Sequence, residues 1–315
     1  MPKGEKVKAI LFDANGMDRE IAPLADVAHI PDKQIYWLIV SGQGAGKLPH
    51  PADEIDRAAV RLGGVVVSDD RFCFSVPVAP NEGGHSEDAM ILVVGRNWLL
   101  TCSDAPLSLT ERYLEHDTGE TLKGSLTAPA LAVSLLLAHF DEFHTHLSAI
   151  EEKLDTLDEQ VFRSRQRHDP LNTLAVLRRR AARLRGLVAQ HRSTIAALDR
   201  PDFGPAVCEE DRHHLTHLAE AYHRLVDTVD RTRDAVLSSY DLYATRVAQN
   251  TNRLLQRLTV ITIGVGLIGA IGSIFGMNFN LGLFKAGERP FWITVAVMAV
   301  TALVTLFLAL RGGRR

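Results

Sequence analysis

The chain has 315 residues, a formal net charge of −3 and a mean hydropathy of +0.01, so it exceeds one average domain and carries no basic excess that would suit a nucleic acid. Hydropathy near zero here averages a polar region with a strongly apolar C-terminal one. Cys73, Cys102 and Cys208 lie far apart, which excludes a disulfide framework or a CxxC metal site and reads as reduced cytosolic thiols.

The opening MPKGEKVKAILFDANG lacks the long apolar core of a signal peptide, and the residues ahead of the first apolar run are expected in the cytoplasm. Residues 7–12, 35–40, 64–67, 72–78, 90–94 and 98–101 are apolar or alternating and rich in β-branched and aromatic side chains, which predicts strands. Residues 53–62 and 106–116 read as helices. Turn chemistry separates these pieces, as in Ser68-Asp69-Asp70 and Asn81-Glu82-Gly83-Gly84. Residues 1–125 are therefore expected to form a small cytoplasmic α/β domain. Within it, Ser41-Gly42-Gln43-Gly44-Ala45-Gly46-Lys47 invites a phosphate-loop reading. Ser41 stands where that loop needs Gly, and Leu48 where it needs the hydroxyl that holds Mg²⁺. A dinucleotide fingerprint fails as well, because the third Gly falls one residue early. The segment reads as a loop, and a nucleotide-dependent enzyme has no other support.

Residues 126–257 are expected to form a helical hairpin and a long stalk helix. Over 127–166, Leu131, Leu135, Ala138, Phe143, Leu147, Ile150, Leu154, Leu157 and Val161 recur at helical spacing until Asp169-Pro170 breaks the pattern. A second helix, 171–198, ends at Asp199-Arg200-Pro201. The first arm is acidic late on (Glu151, Glu152, Asp155, Asp158, Glu159) and the second basic (Arg178, Arg179, Arg180, Arg183, Arg185, Arg192). These faces could match in an antiparallel pair, although solvated ion pairs contribute little each. No proline occurs between Pro205 and Pro290, so 209–279 can run as one helix with Leu215, Leu218, Tyr222, Leu225, Val229, Val236, Tyr240 and Tyr243 as its buried stripe. His213 and His217 stand at i, i+4, but two ligands leave a tetrahedral metal site incomplete. They read, with His214, His139, His144 and His146, as solvated helix faces, and no metal site is assigned.

Residues 258–279 carry no charge, about the 20 that a bilayer core demands of a helix. A second uncharged run, 291–310, follows a short loop, so 258–310 is expected to be a transmembrane hairpin with a basic tail at 311–315. Arg253 and Arg257 before it, and Arg311, Arg314 and Arg315 after it, argue for a multi-pass protein with both termini cytoplasmic. The first span has a seam at heptad spacing: Asn252, Leu255, Thr259, Thr262, Gly266, Gly269, Ser273 and Gly276. All but Leu255 are polar or small. Such a stripe serves either close packing against another helix or the lining of a wet path. Two spans cannot enclose a pore, so conduction would need an oligomer with the seam helices inside.

The span closes on Gly276-Met277-Asn278, flanked by Phe275 and Phe279 and preceded by Thr251-Asn252 and Leu258-Thr259. Together with Leu177-Arg178, Leu184-Arg185 and Gln190-His191-Arg192, this pattern resembles the CorA/ZntB superfamily of divalent metal cation transporters over roughly the last 190 residues. The resemblance implies an α+β fold in a funnel-shaped homopentamer of the inner membrane, its partners being further copies of itself, lipid and the transported cations. It implies a channel lined by five first spans and an outer ring of Asn278. Carboxamide oxygens there would bond the water shell of Mg²⁺, which dehydrates reluctantly. Leu255 and Leu258 would form a hydrophobic constriction at the inner end. It also implies gating by cytosolic metal, for which Glu151, Glu152, Asp155, Asp227 and Asp230 are candidates. No nucleophile, general base or resident cofactor is implied: this is transport, not catalysis.

Two departures bear on the ion. Gly266-Leu267 replaces the common mid-span Met-Pro, and the outer loop carries Lys285, Glu288 and Arg289 where the family often has an acid. The signature points to Mg²⁺ or Co²⁺, and the loop to a ZntB-type zinc transporter, with proton coupling a possible driving force. A non-transporting, membrane-anchored coiled-coil sensor or scaffold is the rival class. The short loop between the spans counts against it.

Overall fold

The β-branched and aromatic runs of the first hundred residues assemble into one sheet. The computed structural model describes residues 6–13, 18–27, 30–31, 33–41, 65–68, 71–80, 89–103, 110, 127–162, 170–198, 209–276 and 289–311. The strands are β1 (Lys6–Asp13), β2 (Arg19–Ile21), β3 (Gln34–Ser41), β4 (Val66–Val67), β5 (Arg71–Pro77), β6 (Ala89–Gly95) and β7 (Trp98–Ser103). Their order is β2-β1-β3-β7-β6-β5-β4. β3 and β7 run parallel, with Tyr36 opposite Trp98, and the other neighbours are antiparallel. The register puts Leu11, Tyr36, Leu38, Cys73, Ile91, Val93, Trp98, Leu100 and Cys102 in one apolar cluster. The alternate positions, among them Phe12, Trp37, Phe74, Leu92 and Leu99, are buried as well. Central strands that read as continuous apolar runs are thus covered on both faces. Trp37 Nε1 donates to Thr101 Oγ1 at 2.9 Å, which satisfies the indole in the core.

Four helices follow: α1 (Ala128–Phe162), α2 (Pro170–Leu198), α3 (Glu209–Gly276) and α4 (Arg289–Arg311). Pro170 opens α2 as its first residue, where a missing N–H costs nothing, instead of standing outside it. Thr127 caps α1: its hydroxyl accepts from Ala130 N at 3.1 Å and donates to the buried Asp211 at the start of α3. α1 packs on β6 and β7, and α2 on β5. Thr194 Oγ1 of α2 donates to Ser75 O at 3.3 Å, and Tyr222 Oη of α3 to Val188 O at 3.3 Å. The chain divides into two compact units, Met1–Leu237 and Ser238–Arg315, with the boundary inside α3.

Several sequence expectations change. The stripe of α3 runs through Leu218, Tyr222, Leu225, Val229, Thr232 and Val236, then Ser239 and Tyr243, all buried, whereas Tyr240 is 44% exposed. A strict three-four alternation places Thr232 and Ser239 inside, and a search for apolar residues alone slips onto Tyr240. His139 is buried, not solvated, and so is His191; His144 and His146 are half-buried, and His213, His214 and His217 are exposed. β2 was not anticipated, because its exposed Arg19 and Glu20 give a three-residue edge strand no apolar pattern. The helix expected at 53–62 lies outside the described residues, as do all of 106–116 except Thr110 and all of 41–47 except Ser41. Of the charged arms, Arg178, Arg179, Arg180, Arg183, Arg185 and Arg192 are exposed on α2. Arg185 pairs across to Asp230 of α3 at 3.1 Å, both about half exposed, which limits its worth.

Gly95 closes β6 beneath the Trp98 indole, and a Cβ on it would clash with that ring. Gly95→Val is expected to destabilise the sheet by roughly 1–3 kcal/mol, the cost of overpacking, read as a lowered thermal midpoint of the purified protein.

Candidate functional site

The seam residues sit on the part of α3 that falls in the Ser238–Arg315 unit. No charged residue occurs from 258 to 276, and the helix satisfies its own backbone, as a segment in lipid must. Its hydroxyls bond backward within the helix: Thr251 to Val247 O at 3.0 Å, Thr259 to Leu255 O at 2.9 Å and Thr262 to Leu258 O at 2.8 Å. A hydroxyl has one proton. Spending it on the carbonyl one turn back leaves the Thr259 and Thr262 oxygens as acceptors, the polarity a cation or its water shell requires.

α4 covers one side of this helix. Its half-buried row is Thr294, Met298, Thr301 and Thr305, and that of α3 is Val260, Ile268 and Ile271 with the buried Gly264 between them. A Cβ on Gly264 would come 2.5 Å from Thr305 Cγ2 and 2.9 Å from its Oγ1, so only glycine admits Thr305. A Cβ on Gly272 would meet Met298 Cε at an ordinary 3.9 Å. Gly266 and Gly269 have nothing within 4 Å of that position. At 3.6 residues per turn, Thr262, Gly266, Gly269 and Ser273 lie about 140–200° round the helix from Gly264. Asn252, Leu255, Leu258, Thr259, Thr262, Gly266, Gly269 and Ser273 are all exposed. The close-packing role that small residues can play thus falls within this chain to Gly264, on the opposite side from the seam.

Gly264 is not part of the seam read from the sequence. Its row, Val260, Gly264, Ile268 and Ile271, holds this one small residue, which does not by itself tell which face α4 chooses.

The remaining surface is apolar. Ile263 and Val265 are each 64% exposed, and Leu303 of α4 65%. Helices apolar nearly all round need a non-aqueous neighbour. By length and composition α3 can cross a membrane, with a best window of mean hydropathy 1.8. The stretch Trp292–Phe307 of α4 forms a shorter apolar helix. Gly276 ends α3, while Met277, Asn278, Lys285 and Glu288 lie outside the described residues, and Arg289 opens α4.

Among the described residues, no group of three or more His, Cys, Asp and Glu side chains is placed to hold a metal ion. Two of the regulatory candidates are engaged within the chain: Glu151 Oε1 accepts from Thr232 Oγ1 at 2.7 Å, and Asp230 meets Arg185. Asp227, Asp230 and Asp234 also line an open groove of about 640 Å³, where Arg224 and Arg231 offset their charge. Burial, reinforced by Cys102, pushes the Cys73 thiol up to about 12, so it is no metal-binding thiolate.

With this architecture in view, the class of the protein follows. Residues 65–311 match the family of CorA-like Mg²⁺ transporter proteins, and the chain belongs to that family. It is 27% identical over 177 residues to the cobalt/magnesium transport protein CorA of Thermotoga maritima, covering 56% of this chain but only 50% of that protein. It is 26% identical over 229 residues to the divalent cation transporter CmaX of Pseudomonas aeruginosa, covering 70% of this chain and 67% of that one. The complete CorA magnesium transporter of Methanocaldococcus jannaschii shares the fold, with a TM-score of 0.69 at 18% identity over 95% of this chain and 96% of the other.

The Gly264–Thr305 approach and the open seam predict opposite responses to one substitution. Gly264→Val should destabilise the detergent-purified protein by roughly 1–3 kcal/mol, the cost of an overpacked contact, read as a lowered thermal midpoint. Gly266→Val should leave that midpoint nearly unchanged.

Proposed function

We propose that the chain transports divalent metal cations across the inner membrane as a homopentamer, with the seam of α3 lining the conduction path. The observation that carries this reading is the half-turn between Gly264, packed on α4, and the exposed Thr259, Thr262, Gly266, Gly269 and Ser273. A stripe of small and acceptor side chains uncovered by its own hairpin partner suits an axis shared by several copies, while Ile263, Val265 and the outer face of α4 suit lipid. In this reading α4 is the second membrane span, and the flanking arginines keep both termini in the cytoplasm.

The signature Gly276-Met277-Asn278 supplies the outer selectivity site, where a ring of Asn278 carboxamides bonds the hydration shell of the ion. Leu255 and Leu258, exposed at 54% and 60%, narrow the inner end. Cation binding to the Met1–Leu237 unit gates the path. This assignment rests on family membership, and Glu152, Asp155 and Asp227 are the candidates left to test in it. The cation is substrate, not a resident cofactor, and no catalytic group is required.

The loop charges favour a second reading for the ion. Lys285 and Arg289 outweigh Glu288, which fits zinc transport of the ZntB type, driven by a proton gradient, better than a loop that gathers Mg²⁺. Flux into proteoliposomes with Mg²⁺, Co²⁺ and Zn²⁺, with and without a pH gradient, separates the two. Asn278→Ala should abolish that flux while leaving the assembly intact by native mass. Unchanged flux would remove the selectivity role, and a dimeric mass would favour the membrane-anchored scaffold instead.

A further inference from the structure

Charge is sorted by helix in the Met1–Leu237 unit. α1 carries seven carboxylates and a single lysine, Lys153, whereas α2 carries six arginines and no carboxylate. The two helices are neighbours, and each turns an apolar row inward: Ile150, Leu154 and Leu157 on α1, and Leu174, Leu177 and Ala181 on α2, all buried. Successive residues of a helix are turned by about 100°. Glu152 and Asp155 therefore fall on the side of α1 away from its buried row, and both are exposed. On α2, Arg179 falls opposite the buried row with Arg178 and Arg180 on its flanks, so the three exposed side chains cover about 200° of the helix.

Part of the charge is answered within the chain. Glu151 accepts from Thr232, and Arg185 meets Asp230. Asp158, Glu159 and Arg183 have contacts of their own. Among the described residues, Glu152 and Asp155 have no cationic partner, and Arg178, Arg179 and Arg180 have no anionic one. Two patches of opposite sign thus stand on adjacent helices, each facing out of the unit.

Symmetry decides which partner fits them. A ring with an odd number of copies closes only through heterologous contacts, in which one patch of a copy meets a different patch of the next. Such patches must complement each other and not themselves. The α1 and α2 faces meet that condition: either one set against itself would oppose like charges, whereas the two together attract. We propose that Arg178, Arg179 and Arg180 of α2 dock on Glu152 and Asp155 of α1 in a neighbouring copy of this chain. The inference rests on the homopentamer proposed above. Exposed ion pairs are worth little each, so the contact sets partner and register more than affinity. It gives Glu152 and Asp155, two of the gating candidates, an arginine for partner in place of a regulatory cation.

The test uses two charge-reversed full-length chains in detergent, read by native mass. One carries Arg178→Glu, Arg179→Glu and Arg180→Glu, and the other Glu152→Arg and Asp155→Arg. Each alone is expected to need a roughly tenfold higher protein concentration than the unmodified chain to form the pentamer, because like charges then face each other. Salt at about 1 M, which shortens the screening length from about 10 Å to about 3 Å, should narrow that gap. Co-expressed with different tags, the two variants should assemble with each other in preference to themselves, since each supplies the face the other lacks. Variants that form pentamers as readily as the unmodified chain, or that do not select each other, overturn the inference and leave the transport reading standing. An unmodified chain that forms no ring removes both. An effect of the arginine reversal alone, seen only with anionic lipid present, would assign α2 to lipid headgroups and likewise overturn it. Should a reversed chain fail to fold, Arg179→Gln and Glu152→Gln decide: each is expected to weaken the salt dependence of assembly, and an unchanged dependence is the overturning result.

Discussion

A single close approach organises the second unit: Thr305 of α4 seated on Gly264 of α3. In water two apolar helices would associate to hide surface, but in lipid that drive is absent and contact depends on how near the backbones can come. A glycine at the crossing, faced by a row of threonines that bond their own carbonyls, provides that nearness. Once α4 is fixed to this side of α3, everything else about the hairpin follows. The seam is left uncovered, the bulky residues between seam and crossing face outward, and the hairpin presents one small, hydroxylated stripe to whatever lies on its far side.

The first unit is built on different physics. Its sheet is apolar on both faces, and hydrophobic burial there is large enough to hold polar groups that each need a specific partner. Trp37 finds Thr101, Thr127 finds Asp211, and Thr232 finds Glu151.

How much of this was legible beforehand depends on how local the determinant is. The strands Ile35, Tyr36 and Trp37 help to form, and the long proline-free helix through Tyr222, could be read because alternation and helical period are properties of short windows. The seam from Asn252 to Ser273 was equally local. What the sequence could not show was which of two glycine rows the second helix would choose, since Gly264 and Gly266 are both small and differ only in direction. His139 was misread for a related reason: its neighbours in sequence include the exposed Asp141, and its burial comes from β5 and α2, far off in the chain. Tyr240 lost its place in the stripe to Ser239 because periodicity outranks residue type once a helix is packed. The family signature at Met277 and Asn278 lay in the sequence, but these residues are outside the described structure, so its role rests on chemistry and kinship.

The most direct test of the central claim is the pattern of water access along α3 in the membrane-embedded protein. Single cysteines placed at Thr262, Gly266, Gly269 and Ser273, and separately at Ile263, Val265 and Leu267, would be exposed to a water-soluble thiosulfonate with and without Mg²⁺. Modification of the first set alone, slowed by the cation, is the predicted result. Labelling confined to the second set, or none at either, would show that the stripe is dry and contradict the account.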